Sequence, residues 1–452
     1  MVPKPFAGIL AIMPLPHAHD LAGTIEPRKR RKALRSPRNR LSLAFFREAA
    51  WLTQRRICGY ASVLVAASAV MIAWLLMGHG IDDPLGRPVG TDFVSFWTVS
   101  WALIHDRAQA VYSPETLAAL EHIIEGGTGP FYAWLYPPIA LLIIYPLALL
   151  PYLWSLLVWL AAGAVLYLTA LWRILPRPLT LWAGLAFPAV LITIEHGQNA
   201  LLTAGLMSWA LLLLSRRPVI AGILIGLLIF KPQLGLLIPL ALIAGGHWRA
   251  LIAASVTGVV LTAVTIALFG AHIWSDYLSV MPLARDVLDL GLVPTYKMQS
   301  VFAALRLLDA PLAVAYGMQA LATFAGALLV LWVWRQPNDQ DLKNATLVAA
   351  TLLATPFVLD YDLMLLAPVI AWLIAKGLQR GTLPWERIIL AAACLDPFIA
   401  RVVGQYTHVG LTPIIVVALL ILIVRRIRVG NSRIRGNDMS GAHRLRPSMG
   451  DG

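Results

Sequence analysis

Apolar runs of about 15 to 24 residues recur from Ile57 to Val424, and no other feature constrains this chain as tightly. Coiled as a helix at about 1.5 Å per residue, a run of that length matches the hydrocarbon thickness of a bilayer. Barrel-type alternation is absent, so backbone satisfaction in lipid demands helices. With 59% of residues hydrophobic and 13% charged, a soluble fold could not hide the apolar surface. The sequence therefore predicts an all-α, multi-pass transmembrane protein of about twelve spans. They fall near 57–77, 151–171, 179–194, 199–215, 218–230, 234–246, 248–269, 312–334, 343–359, 363–376, 387–404 and 411–424. The run 136–150 reads as a short re-entrant or tilted helix, with a thirteenth span as the alternative. The long first loop, 78–133, carries two short amphipathic segments, 96–104 and 116–124, expected at the membrane surface.

The formal net charge of +13 would suit a nucleic-acid partner, but its distribution argues against one. Basic residues crowd the stretch from Arg28 to Arg56 and the tail from Arg425 to Arg446, flanking a hydrophobic body. Basic ends are retained in the cytoplasm. Arg173, Arg177, Arg216, Arg217, Arg249, Arg335, Lys376 and Arg380 then fit the same side, which places both termini inside a cell membrane. Residues 1–56 read as a basic, largely disordered segment without the pattern of a cleavable signal. Residues 57–428 form the membrane domain, and 429–452 a second basic, disordered tail. Cys58 and Cys394 lie inside apolar runs without metal-ligand spacing and read as packing residues.

Four polar clusters interrupt the apolar runs: Asp92 after Thr91, the turn Glu195-His196-Gly197-Gln198-Asn199, Lys231-Pro232-Gln233, and Asp360-Tyr361-Asp362. In this topology all four lie at external helix ends. Ionised groups near membrane depth are costly enough to mark functional sites. Asp92, followed by an aromatic-rich segment, suits a general base toward a hydroxyl, or else caps the helix beginning near Phe93. Lys231 suits a phosphate, or else snorkels to the interface. Gln198 and Asn199 offer amides to sugar hydroxyls, or else cap the next helix. Glu195 and His196 end an apolar run together and are secondary candidates. Asp360 and Asp362 could orient an acceptor or simply join two helices. His408 is a weaker candidate near the last external turn. No nucleotide loop, zinc-protease motif or nucleophile elbow is present.

Four groups of residues stand in order along the chain: Asp92-Phe93 with Val111-Tyr112; Tyr136-Pro137-Pro138 followed by Pro146-Leu147-Ala148-Leu149-Leu150-Pro151; Gly197-Gln198-Asn199; and Lys231-Pro232-Gln233 followed by Trp248-Arg249. Together, in order and spacing, they resemble glycosyltransferase family 87, the polyprenyl-phosphate-mannose-dependent mannosyltransferases of the GT-C superfamily. The likeness spans about residues 57–425 and leaves out the basic N-terminal extension. It implies a GT-C-type membrane fold, a polyprenyl-phosphate hexose donor on the outer face, a lipid- or glycan-linked acceptor and inversion at the anomeric carbon. Asp92 matches the family's acidic base in the first external loop. On this resemblance Lys231, Gln233 and Arg285 would serve the donor phosphate, and Gln198 and Asn199 the sugar. No nucleotide or other cofactor is needed, and a metal is optional. The alternative is a transporter or flippase of a lipid-linked or small polar substrate. The lack of an internal repeat counts against it.

Overall fold

The computed structural model describes residues 38–127, 130–337 and 339–444, with side chains from residue 43 to residue 430. The disorder expected for 1–37 and for 445–452 lies outside the described residues. From Ala44 the described chain forms one unit, and its regular elements are all helices, with isolated bridges at Asp82–Pro88 and Met298–Leu359.

Six helices are long and apolar enough to cross a membrane: Gln54–Leu75, Tyr152–Ile174, Trp248–Phe269, Leu312–Arg335, Asp360–Arg380 and Glu386–Thr407. The pair Pro178–Leu185 and Pro188–His196, bent by 47° at Phe187-Pro188, makes a seventh if counted as one broken span. The remaining expected spans are shorter. Ala200–Leu213, Pro218–Phe230 and Pro232–Ala244 stop where Arg216, Lys231-Pro232 and Gly245-Gly246 remove apolar character or the helical amide. Ile139–Leu149 is a six-residue helix followed by a 3-10 turn. At about 1.5 Å per residue it reaches half the bilayer thickness, too short to cross alone. The last helix, Thr412–Arg444, runs past the apolar stretch into the tail read from sequence as disordered.

The short helix Phe93–Ile104 departs from its expected surface position. Most of its residues are buried, because its polar positions are small hydroxyls rather than charges. Ser100, for example, donates to the Tyr145 carbonyl at 2.7 Å. Close packing elsewhere depends on small residues, as is usual between helices in lipid. A Cβ at Gly222 would lie 2.3 Å from the Ala250 carbonyl oxygen, and one at Gly226 would lie 2.5 Å from the Thr257 Cβ. These gaps let Pro218–Leu227 lie against Trp248–Phe269.

Ion pairs sort to the two ends of the helix Asp360–Arg380. At its C-terminal end Lys376 pairs with Asp339 at 2.8 Å and Asp341 at 2.7 Å, and Arg380 pairs with Asp339 at 2.9 Å. Arg426 donates to buried Glu386, at the start of the next helix. At its N-terminal end Asp360 and Asp362 meet a different set of partners, and there the four polar clusters converge.

Candidate active site

Two tight turns build the first half of the site. Gly90 and Gly197 both hold positive φ, at 76° and 62°, and they pack on each other. A Cβ on Gly197 would fall 2.5 Å from the Phe93 Cβ and 3.3 Å from the Gly90 Cα, so only glycine allows the approach. The contact aligns the Asp92 N–H with the His196 carbonyl at 3.0 Å. Thr91 Oγ1 and His196 Nδ1 share a hydrogen bond of 2.9 Å. Asp92 occupies the N-cap position of Phe93–Ile104, yet its side chain makes no capping bond. Its Oδ2 instead accepts from Gln198 Nε2 at 2.8 Å.

The amide chain continues inward. The Tyr136 hydroxyl donates to Gln198 Oε1 at 3.2 Å and accepts from Asn199 Nδ2 at 3.1 Å. Asn199 also stands at an N-cap without using its side chain to cap. It is 4% exposed, and its Oδ1 is buried without a hydrogen-bond partner. Such an orphan acceptor costs about 1–3 kcal/mol until a donor arrives. Asn199 lines a narrow crevice with Phe96, Trp134, Tyr136, Trp159 and Phe230. Aromatic faces plus a vacant acceptor suit a ring bearing hydroxyl groups.

The second half is ionic. Lys231 sits where the turn Leu228–Phe230 meets Pro232, and its Nζ donates to Asp362 Oδ1 at 2.7 Å. Both side chains are only 3% exposed, so this lysine does not snorkel. The ammonium also lies 5.0 Å from the Tyr361 ring centroid. Asp362 Oδ2 accepts the Leu359 N–H at 3.1 Å, and Asp360 Oδ2 accepts from Arg401 Nη1 at 3.4 Å. The halves join at His196, whose ring packs edge-on against Tyr361 at 6.2 Å, and at Tyr136, which lies within electrostatic reach of both Asp92 and Asp362.

Asp92, His196, Gln198, Asn199, Lys231, Asp360 and Asp362 thus come together. No hydrogen bond or ion pair among the described residues draws Glu195 or Gln233 into the cluster. Arg285 is 78% exposed and pairs with Asp289 on its own helix at 3.0 Å, while Asp289 accepts from Tyr316. His408 ends the helix Glu386–Thr407 in a left-handed conformation. Tyr136, Tyr361 and Thr91 lie within motifs read from the sequence, which assigns them no role, and Arg401 is a site residue that sequence reasoning did not single out. Glu121 is a further one at one remove. Fully buried on the loop helix Pro114–Glu125, it accepts the Tyr132 N–H at 2.9 Å and so anchors the segment leading to Tyr136. Burial, helped by the nearby Glu125 carboxylate, raises its pKa to about 8.

A family model described as glycosyltransferase family 87 matches residues 134–356, which include Tyr136, Gln198, Asn199, Lys231 and Arg285. No curated protein and no solved structure matches the chain significantly. An all-helical membrane architecture, converging polar helix ends and the matched segment agree with one another, and residues 134–356 of this chain are a glycosyltransferase family 87 segment.

Proposed function

We propose that this membrane glycosyltransferase moves a hexose, mannose by the family likeness, from a polyprenyl-phosphate donor to a hydroxyl of a lipid- or glycan-linked acceptor, with inversion and on the extracytoplasmic face. The observation that carries the reading is the hydrogen-bonded chain Asp92–Gln198–Tyr136–Asn199 beside the buried Lys231–Asp362 pair. The acceptor hydroxyl attacks the anomeric carbon as the bond from that carbon to the phosphate oxygen breaks. Asp92 takes the hydroxyl proton, and Gln198 fixes the carboxylate so that Oδ1 faces the acceptor. Asn199 Oδ1 accepts from a sugar hydroxyl over the aromatic crevice. The electron pair leaves with the prenyl phosphate, whose growing negative charge is met by the cations at this end of the fold. Lys231 contributes a fixed buried charge there, and Gln233 and the exposed Arg285 of the helix Met281–Asp289 supply supporting contacts. Glu195 and His196 border the acceptor, while Asp360 and Asp362 are secondary residues that hold the cations.

The test uses purified protein in nanodiscs, radiolabelled polyprenyl-phosphate mannose and a membrane lipid extract. Label moving from donor to an acceptor fraction is the expected result. Label that stays on the donor, while another donor class is consumed, would overturn the reading.

A further inference from the structure

Lys231 is the obvious cation for a phosphate, yet its charge is spent on Asp362 at 2.7 Å and it is almost wholly enclosed. The less committed positive charge at this end of the fold lies around Asp360. The turn Thr295–Lys297 packs on the helix Glu386–Thr407 at Gly404, where an added Cβ would sit 3.5 Å from the Tyr296 Cβ. Lys297 follows Tyr296 in the chain, and Arg401 lies about one helical turn before Gly404, so the two cations are carried by the two elements that meet at this contact. Both are within electrostatic reach of Asp360, as is His196.

Neither cation is consumed by this surrounding. Arg401 is 33% exposed, and its contact with Asp360 is long, at 3.4 Å, and uses one of five guanidinium N–H groups. Among the described residues its remaining N–H groups make no hydrogen bond, and the Lys297 ammonium makes no hydrogen bond or ion pair. One carboxylate faces two permanent cations, which leaves the patch positive. An arginine inside an apolar helix, at the end opposite the chain's basic clusters, is placed against the usual bias and needs a reason. His196 connects the patch to the proposed base, since its carbonyl accepts the Asp92 N–H and its ring meets Tyr361.

We propose that Arg401 and Lys297 form the subsite for the donor's phosphate group. This rests on the polyprenyl-phosphate reading above and deepens it. The bound donor is a phosphodiester with one negative charge. When the sugar departs, the phosphate becomes a monoester and its charge grows toward two. A guanidinium that can grip two oxygens, with an ammonium beside it, binds that leaving group more strongly than it binds the donor. Asp360 then acts as the counter-charge that holds Arg401 in place between turnovers and releases it to the incoming phosphate.

The experiment measures binding of a short-chain isoprenyl phosphate to the detergent-solubilised full chain, with isoprenyl alcohol and inorganic phosphate as companion probes. Arg401→Gln should weaken isoprenyl phosphate binding by about tenfold or more, and Lys297→Gln by a smaller factor. Asp360→Asn should tighten it, because the guanidinium is freed. Arg173→Gln, an exposed arginine on a different helix, should leave it unchanged. None of the four should alter binding of the alcohol. Equal binding by wild type and Arg401→Gln would overturn the subsite while leaving the glycosyltransferase reading intact. Weakening by Asp360→Asn in parallel with Arg401→Gln would reduce the pair to a structural contact and also overturn it. Inorganic phosphate competing as well as the isoprenyl phosphate would assign the patch to a free ion instead. A wild type that binds no isoprenyl phosphate would defeat the donor reading itself.

Discussion

Replacing Lys231 by Met tests how much of the site is held by one buried ion pair. The substitution keeps the length of the side chain and removes its charge, leaving Asp362 buried with only the Leu359 N–H at 3.1 Å. Breaking one partner of a buried pair costs about 3–5 kcal/mol, whereas replacing both partners by apolar groups is often close to neutral. The lost contact with the Tyr361 ring adds about 1 kcal/mol or less. For a folded unit of about 400 residues with an unfolding entropy of about 2 cal/mol/K per residue, 3–5 kcal/mol corresponds to a Tm lower by about 4–6 °C. The assay is thermal unfolding in detergent followed by tryptophan fluorescence, for Lys231→Met, Asp362→Leu and the double variant. Each single variant should lose several degrees and the double variant should recover most of the loss. Sugar transfer should stay low in the double variant, because its stability returns without its charge. Two results would refute the reasoning: a Lys231→Met protein as stable as wild type, or a double variant that transfers sugar at the wild-type rate.

Gly197→Ala should cut transfer by about an order of magnitude or more, since the new methyl strikes the Phe93 Cβ and the residue must keep a positive φ; a wild-type rate would show that the two turns need not touch. Tyr136→Phe removes one donor and one acceptor between Gln198 and Asn199, at about 1 kcal/mol of stability per hydrogen bond, and should lower kcat more than it raises KM, measured by steady-state transfer. Glu121 gives a pH signature. Its folded-state pKa, near 8, lies above the ordinary value of 4.5, so the folded chain binds an extra proton between the two. Stability from this group is therefore full below the lower value, falls as pH rises through the window and levels off above about 8. Thermal unfolding from pH 5 to 9 should show that decline in wild type and lose most of it in Glu121→Gln.

What the sequence disclosed and what it withheld have physical causes. The clusters at Asp92, Glu195–Asn199, Lys231 and Asp360–Asp362 were legible because charge within apolar runs is expensive and therefore conspicuous. Their convergence followed from counting helix ends, a one-dimensional argument that survives errors in span length. The competing structural roles were not decidable from sequence. Whether Asp92 and Asn199 cap their helices depends on side-chain torsions, and in the structure both turn away from the cap toward Gln198 and Tyr136. Tyr136 was visible only as the first residue of the Tyr136-Pro137-Pro138 motif, because nothing in the sequence shows that its hydroxyl reaches Gln198 and Asn199. Arg401 escaped because it lies between Ala400 and Val402, with no polar neighbour adjacent to it. The shorter helices around Lys231-Pro232 and Gly245-Gly246 were hidden by the continuity of apolar residues, since hydropathy records burial and not helical hydrogen bonding.

Asp92 is the base on which the proposed reaction turns, and single-turnover sugar transfer by Asp92→Asn measures this with the least ambiguity. The asparagine keeps the side-chain size and can still pair with Gln198, so folding and donor binding should match wild type. A positioned general base contributes about 10²–10⁴-fold, and the account predicts a loss of that size in the chemical step. An Asp92→Asn protein that transfers sugar as fast as wild type would contradict it and move the base to another carboxylate at this end of the fold.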